Sequence, residues 1–385
     1  MTIYFVQAFL IVIAGTIFDV DKNKKNKRRY ILFSFFLLIL VAALRSRNIG
    51  TDLAMQYSGY YENIAKYDWN QIPQFSSATT FEIGYCYFTK LLSLINPDVQ
   101  FYIVAISVII YGVLGWFIYR NSVDVVMSTT LLIFSGTYYN YMNIIRQALA
   151  VVIILIGYEV MMMFKKRLNG YICLAGFILL AATIHSTAIL CLIFIPIDLL
   201  TFKKRDIIIG LLGAAVFFVF YRQIFSFFST KITTNRVYTD YLTKENESVG
   251  HINIQSVWMF LVVFLALVIG IYFMVIVKKK KDPRRLNLQD KQLKRQDNFL
   301  LYVVMFASIC RFMVFRMNII NRYSFFFIPF VLILYPRAVQ TIESPSNKKI
   351  VTAVIYVVMV GYFLLMTFFY EQSFHMTVPY EFYWQ

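Results

Sequence analysis

The residues able to do chemistry are few, and they gather where apolar runs end. LRSRNIGTD, 44–52, carries Arg45 and Arg47, followed by Gly50, Thr51 and Asp52. Two guanidiniums beside a glycine turn suit a pyrophosphate: arginine offers forked donors, and a glycine lets backbone N–H groups turn toward an anion. Asp52 adds a carboxylate that either pairs with an arginine, fixing the loop, or accepts a proton from a hydroxyl. Glu82 opens FEIGY, 81–85. It is either a favourable charge at a helix N-terminus or a second carboxylate lining the same cavity.

In YYNYMNIIRQALA, 138–150, Asn143, Arg146 and Gln147 stand at relative positions 0, 3 and 4. A continuous helix places all three on one face. Such a stripe serves interhelical hydrogen bonding or contact with a substrate. His185 and Ser186 lie between two apolar runs in AATIHSTAIL. Histidine exchanges protons near neutral pH, and serine caps helices. The two are no diad, because successive helical side chains do not face each other. A packed or capping histidine fits the same position. Arg311, Arg316 and Arg322 punctuate the mostly apolar ICRFMVFRMNIINRYSFFFIPF. Charges so placed need a partner: a diphosphate, an acidic sugar, or internal pairing with Asp52, Glu82 or Glu371. Arg222, Arg236 and His251 border a polar segment further on and are weaker candidates. The four cysteines, at 86, 173, 191 and 310, form neither a Cys-x-x-Cys nor a Cys/His cluster. No disulfide scaffold, metal site or cofactor is expected.

The elements that position these residues must be membrane helices. Of 385 residues, 59% are hydrophobic and only 15% charged. That is too little polar surface to coat a soluble protein of this size. The 38 Phe and 28 Tyr suit a bilayer and its interfaces. Apolar runs fall at about 2–18, 30–44, 99–119, 125–141, 146–164, 170–184, 186–200, 206–223, 257–277, 299–315, 323–336 and 350–370. The expected fold is an all-α polytopic membrane protein with about 12 spans. Several runs are short against the roughly 20 residues that cross a bilayer core. The fourth and fifth are nearly continuous, as are the sixth and seventh; each pair contains a tight turn or a broken helix buried among others. The opening MTIYFVQAFLIVIAGTIF has no basic start and reads as a span rather than a cleaved leader.

Charge sets the orientation. With both termini outside, the inner segments are 19–29, 120–124, 165–169, 201–205, 278–298 and 337–349, and they hold 25 of the 37 Lys and Arg. KNKKNKRR at 22–29 and KKKKDPRR at 278–285 anchor that side. The net charge of +17 therefore reads as topology plus contact with anionic lipids, not nucleic acid. Residues 1–385 form one integral membrane domain in this reading. Outer-face loops lie at 45–98 and 224–256, and a basic cytoplasmic loop at 278–298. Within the first outer loop, 81–95 reads as a short interfacial or re-entrant helix.

LR-x-x-x-x-GTD at 44–52, FEIGY at 81–85, N-x-x-RQ-x-L-A at 143–150, HS at 185–186, NRYSFFFIP at 321–329 and PY at 379–380 together resemble the EpsG family. These are Wzy-type exopolysaccharide and capsule polymerases. The resemblance implies a multi-pass glycosyltransferase of GT-C-like or related architecture in the bacterial cytoplasmic (inner) membrane. It implies polyprenyl-diphosphate-linked oligosaccharides as substrates at the extracytoplasmic face, and a flippase and chain-length regulator as pathway partners. Carried onto this chain, it points to Arg45, Asp52, Glu82, Asn143, Arg146, Gln147, His185 and Arg322. Arg47 and Arg316 rest on position alone. The chemistry needs cations for a leaving diphosphate and a base for an attacking hydroxyl. Arg146 and Arg322 are preferred for the first task and Asp52 for the second. Arginines nearby would lower the Asp52 pKa, which keeps His185 in contention. A flippase of lipid-linked sugars, or a ligase using the same donor, shares most of these features.

Overall fold

The computed structural model describes residues 2–79, 81–223, 254–277, 288–317, 320–369 and 373–385. Among these, every regular element is helical, and the isolated antiparallel bridge Arg45–Phe382 is the exception to helix and turn. The all-α expectation holds. The second outer segment up to residue 253, with Arg236 and His251, lies outside the described residues, as do 278–287 of the basic segment and Glu371.

The chain divides into two compact units, Met1–Leu192 with Ile350–Gln385, and Ile193–Lys349. The first contains α1 (Thr2–Ile17), α2 (Lys24–Ala43), α3 (Ser58–Ile64), α4 (Ile72–Thr79), α5 (Ile83–Ile95), α6 (Val99–Asn121), α7 (Val125–Phe134), α8 (Thr137–Asn143), α9 (Ile145–Met163) and α10 (Arg167–Ile184). A π-helical turn, Leu53–Tyr57, precedes α3, and a 3-10 helix, Ser186–Ile193, follows α10. The second unit contains α11 (Phe194–Leu199), α12 (Lys204–Val219), α13 (Ile254–Ile271), α14 (Leu288–Met313), α15 (Ile320–Ser324) and α16 (Ile328–Gln340). Then α17 (Pro345–Phe369) and α18 (Ser373–Met376) bring the chain back to the first unit.

Each expected apolar run falls on helical structure, with 125–141, 186–200 and 323–336 each divided between two helices. Among the described residues, five stretches are long and apolar enough to cross a membrane by length and composition: α6, α9, α10, Ile254–Val277 and α17. The basic segment 278–298 is helical from Leu288 onward. The segment 45–98 carries α3 and α4 as well as the short helix expected at its end.

The fourth and fifth runs contain the expected broken helix, and the expectation that needs correction is the shared polar face. The run 125–141 is not one helix: it breaks at Ser135 and Gly136, where Gly136 adopts φ 80°. The stripe Asn143, Arg146, Gln147 is not on one helix either, because Ile144 (φ −79°, ψ 55°) separates α8 from α9. Polar spacing alone reads the same across such a break. The half-helix α8, TYYNYMN, is buried at every residue, so protein rather than lipid receives the backbone groups freed at its ends.

Candidate functional site

The breaks between helices create the site in the first unit. At the α8–α9 break, the Asn143 side chain is free to turn away from α9. Its Oδ1 accepts from the Asp52 backbone N–H at 2.9 Å and from the Thr51 hydroxyl at 3.1 Å. Gly50 makes that docking possible. It holds φ 96°, and a Cβ there would lie 3.3 Å from Asn143 Oδ1. Asn143 is thus a buried bracket for the turn that carries Asp52, and Asp52 itself remains half-buried.

Arg146, in the first turn of α9, reaches a different group of residues. Its Nη1 ion-pairs with Glu82 Oε2, and its Nε donates to the Tyr57 hydroxyl at 3.1 Å. The guanidinium also lies 4.3 Å from the centre of the Phe81 ring, with Tyr57 and Tyr85 on its flanks. Glu82 divides its oxygens: Oε1 accepts from the Ser186 backbone N–H at 2.9 Å. It makes no capping bond to its own helix, α5, although it stands at the N-cap position there. Instead it caps the start of the 3-10 helix 186–193, where backbone N–H groups lack internal partners. The Ser186 contribution to Glu82 is therefore its backbone.

Gly84 permits this arrangement. A Cβ at that position would fall 2.1 Å from the Thr183 hydroxyl and 2.7 Å from its carbonyl oxygen. Only a residue without a side chain lets the start of α5 press against the end of α10, next to Ser186. His185 sits at the C-cap of α10 in extended conformation and is buried. Its Nδ1 is 2.7 Å from the Thr187 hydroxyl. Gln147 is buried one residue after Arg146.

The arginines of LRSRNIGTD go elsewhere. Arg45 is buried; it donates to the Ala42 carbonyl at 2.8 Å and to the Met142 carbonyl at 3.1 Å. Arg47 is exposed and pairs with Glu62 at 2.9 Å. Arg316 and Arg322 belong to the second unit and are exposed there. The Arg316 guanidinium lies 4.5 Å from the centre of the Phe218 ring. Arg311 is the buried arginine of that trio; it binds Asn321 and faces Phe325 at 4.7 Å.

Tyr57 and His375 escaped sequence reasoning, and the part played by Ser186 was misplaced. Tyr57 was hidden in an aromatic-rich stretch with no distinguishing pattern. Ser186 acts through a backbone atom, which no side-chain reading detects. His375 is one of only three histidines, and its rarity was the available signal. It adjoins Asp52 closely enough for the carboxylate to favour its charged form, although burial wins and pushes the His375 pKa below its ordinary value.

GTD of the first motif meets the Asn of NxxRQ in one bracket, and FEIGY, the Arg of NxxRQ and HS meet in a second; a family model matches residues 28–382. The chain belongs to the EpsG family. EpsG membership supports a polysaccharide-polymerase type of role, and the helical, apolar build fits a multi-pass membrane protein. Searches of curated proteins and of solved structures each find no significant match. Among the described residues, no group of three His, Cys, Asp or Glu is placed to hold a metal ion. The four cysteines are free thiols.

Proposed function

We propose that this EpsG-family chain is a polysaccharide polymerase of the extracytoplasmic face of the bacterial cytoplasmic membrane. It transfers a growing glycan from one polyprenyl diphosphate to the sugar of another lipid-linked repeat unit. In this reading the twelve apolar runs are spans, both termini lie outside, and the architecture is GT-C-like. Anionic lipids hold the basic inner face. A flippase delivers the substrate, and a chain-length regulator acts on the product.

The observation that carries the proposal is the Arg146 cluster. A guanidinium at a helix break shares Glu82 with the N-terminus of a second helix, and both side chains keep partial exposure, 15% for Arg146 and 20% for Glu82. Fixed donors of this kind stabilise charge that develops on a leaving group. Arg146 receives the diphosphate, and Glu82 orients the guanidinium. Asp52 serves as base. The arginines that argued against it by proximity point to other partners, Arg45 to backbone carbonyls and Arg47 to Glu62. His185 is the less suited base, because its Nδ1 is engaged with Thr187 and the residue is buried. The acceptor hydroxyl oxygen bonds to the anomeric carbon, and its proton passes to the Asp52 carboxylate. The bond from that carbon to the diphosphate oxygen breaks, and its electron pair leaves with the diphosphate.

Purified full-length protein, given lipid-linked repeat units, should produce longer glycan. Arg146→Ala should reduce the rate by about 10²–10³-fold, the usual effect of losing one fixed donor to a developing anion. Its thermal unfolding in detergent serves as the control for folding. Undiminished polymerisation by that variant would sink the assignment.

A further inference from the structure

The Gly50–Asp52 turn is held in place from the far end of the sequence. We propose that residues 376–385 act as a strap, and that Arg45, Tyr4 and Tyr380 are positioning residues that use it to seat Asp52. The catalytic side of this inference rests on the polymerase reading; the mechanical side does not.

The strap runs antiparallel to 44–50. The Tyr383 N–H donates to the Leu44 carbonyl at 3.0 Å, the Ser46 N–H to the Glu381 carbonyl at 2.9 Å, and the Gly50 N–H to the Met376 carbonyl at 3.2 Å. His375 and Met376 both hold left-handed backbone, φ 58° and 62°, at the point where the strap begins. Without these bonds three backbone groups of an irregular segment would lose their partners. Two tyrosines tie the strap to helices. Tyr4 on α1 donates to the Thr377 carbonyl at 2.6 Å, and Tyr380 donates to the Val41 carbonyl in the last turn of α2 at 2.8 Å.

Arg45 completes the link. Its two acceptors, Ala42 and Met142, lie in the last turns of α2 and α8. A helix C-terminus carries partial negative charge and unpaired carbonyls, so one buried guanidinium serves two helix ends at once. The second of these helices ends in Asn143, the bracket for Thr51 and Asp52. Arg45 is 1% exposed. Its burial assigns it to holding the half-helix rather than to meeting a substrate. Strap, turn and half-helix form a closed loop of contacts around Asp52.

The test uses full-length protein and amide hydrogen exchange over 44–52, with glycan lengthening measured in parallel. Tyr380→Phe removes the hydroxyl tie. Tyr383→Pro removes one backbone donor while the side chain it replaces is largely exposed. Each should speed exchange of the 46–52 amides by about tenfold, the scale of one lost hydrogen bond, and leave α6 protected. The same variants should lower kcat by a similar factor with KM for the lipid-linked donor unchanged. Arg45→Lys should recover part of what Arg45→Ala loses. Unchanged exchange in both strap variants overturns the strap. Faster exchange with unchanged kcat overturns the positioning role while leaving the polymerase reading intact. If wild-type protein lengthens no glycan, the polymerase reading fails, and exchange alone still decides the mechanical claim.

Discussion

Both units bury ion pairs, and the two kinds of pair are built differently. In the second unit, Arg295 on α14 grips Asp198 on α11 with Nε at 2.8 and 3.0 Å and Nη2 at 2.5 Å. The Asp198 side chain is fully buried. Arg337 donates from Nε to Asp297 Oδ1 at 2.8 Å and ties α16 to α14. In the first unit, Glu82 spreads its two oxygens over Arg146 and the Ser186 N–H, and Arg146 divides itself among Glu82, Tyr57 and an aromatic face. A forked pair that satisfies itself can do little more than fasten helices. A pair whose members are shared among several elements can exchange one partner for a substrate. The arrangement of donors separates a fastener from a site more sharply than the presence of charge does.

The strongest test of that contrast is to remove one charge from each kind of pair. Asp198→Asn replaces a fully buried carboxylate opposite Arg295 with a neutral amide, and breaking a buried pair costs about 3–5 kcal/mol. Thermal unfolding in detergent should fall accordingly, with activity per folded molecule retained. Glu82→Gln should do the reverse: polymerisation drops while unfolding falls less, since Glu82 is 20% exposed where Asp198 is fully buried, and Gln keeps an acceptor for Ser186. If both variants move the same observable, the distinction between fastener and site collapses.

A smaller effect is expected from Gly84→Ala. The added methyl meets the Thr183 hydroxyl and carbonyl, so α5 and α10 must separate. Overpacking of this sort costs about 1–3 kcal/mol. Glu82 stands two residues away, so the displacement should also weaken its bond to Ser186 and reduce polymerisation. Wild-type activity in that variant would show that the Glu82 bridge tolerates a shift, and would bring the open cluster closer in character to the closed pairs.

How much of this was legible in the sequence depended on the physics involved. Apolar runs are long-range averages, and every one of them marks helical structure. The candidates Glu82, Asn143, Arg146 and Asp52 stood out because polar side chains are costly beside lipid, and the fold gathers them into two brackets. The direction of each contact was hidden. The spacing of Asn143 and Arg146 suggested a shared face, but the break at Ile144 sends one to Thr51 and Asp52 and the other to Glu82. The acceptors of Arg45 were invisible in the sequence because they are backbone carbonyls, which are present at every residue and mark nothing. The Tyr380–Val41 contact joins positions 339 apart, and the bonds that seat the strap are likewise made to main-chain atoms. No local pattern encodes such a meeting.

The smallest predicted effect concerns protons at the edge of the open cluster. His375 precedes the strap and has a pKa lowered by burial, with Asp52 opposing the shift. In the unfolded chain a histidine titrates near 6.5. Because the folded value lies below that, the unfolded state binds more protons as pH falls through this region, and stability rises with pH. The His375 contribution is therefore fully present above about pH 6.5 and is lost on acidification toward the folded pKa. A single proton limits the slope to about 1.4 kcal/mol per pH unit. Unfolding midpoints measured between pH 5 and 7 should decline more steeply for wild type than for His375→Gln, which has no proton to gain. Exchange at the 46–50 amides, corrected for intrinsic rates, should follow the same curve if the loss is local to the strap. The closed Asp198–Arg295 pair contains no histidine, so the α11 and α14 amides should not share it. Parallel slopes in the two proteins would mean that His375 is not coupled to the fold, and its place beside Asp52 would then bear only on chemistry.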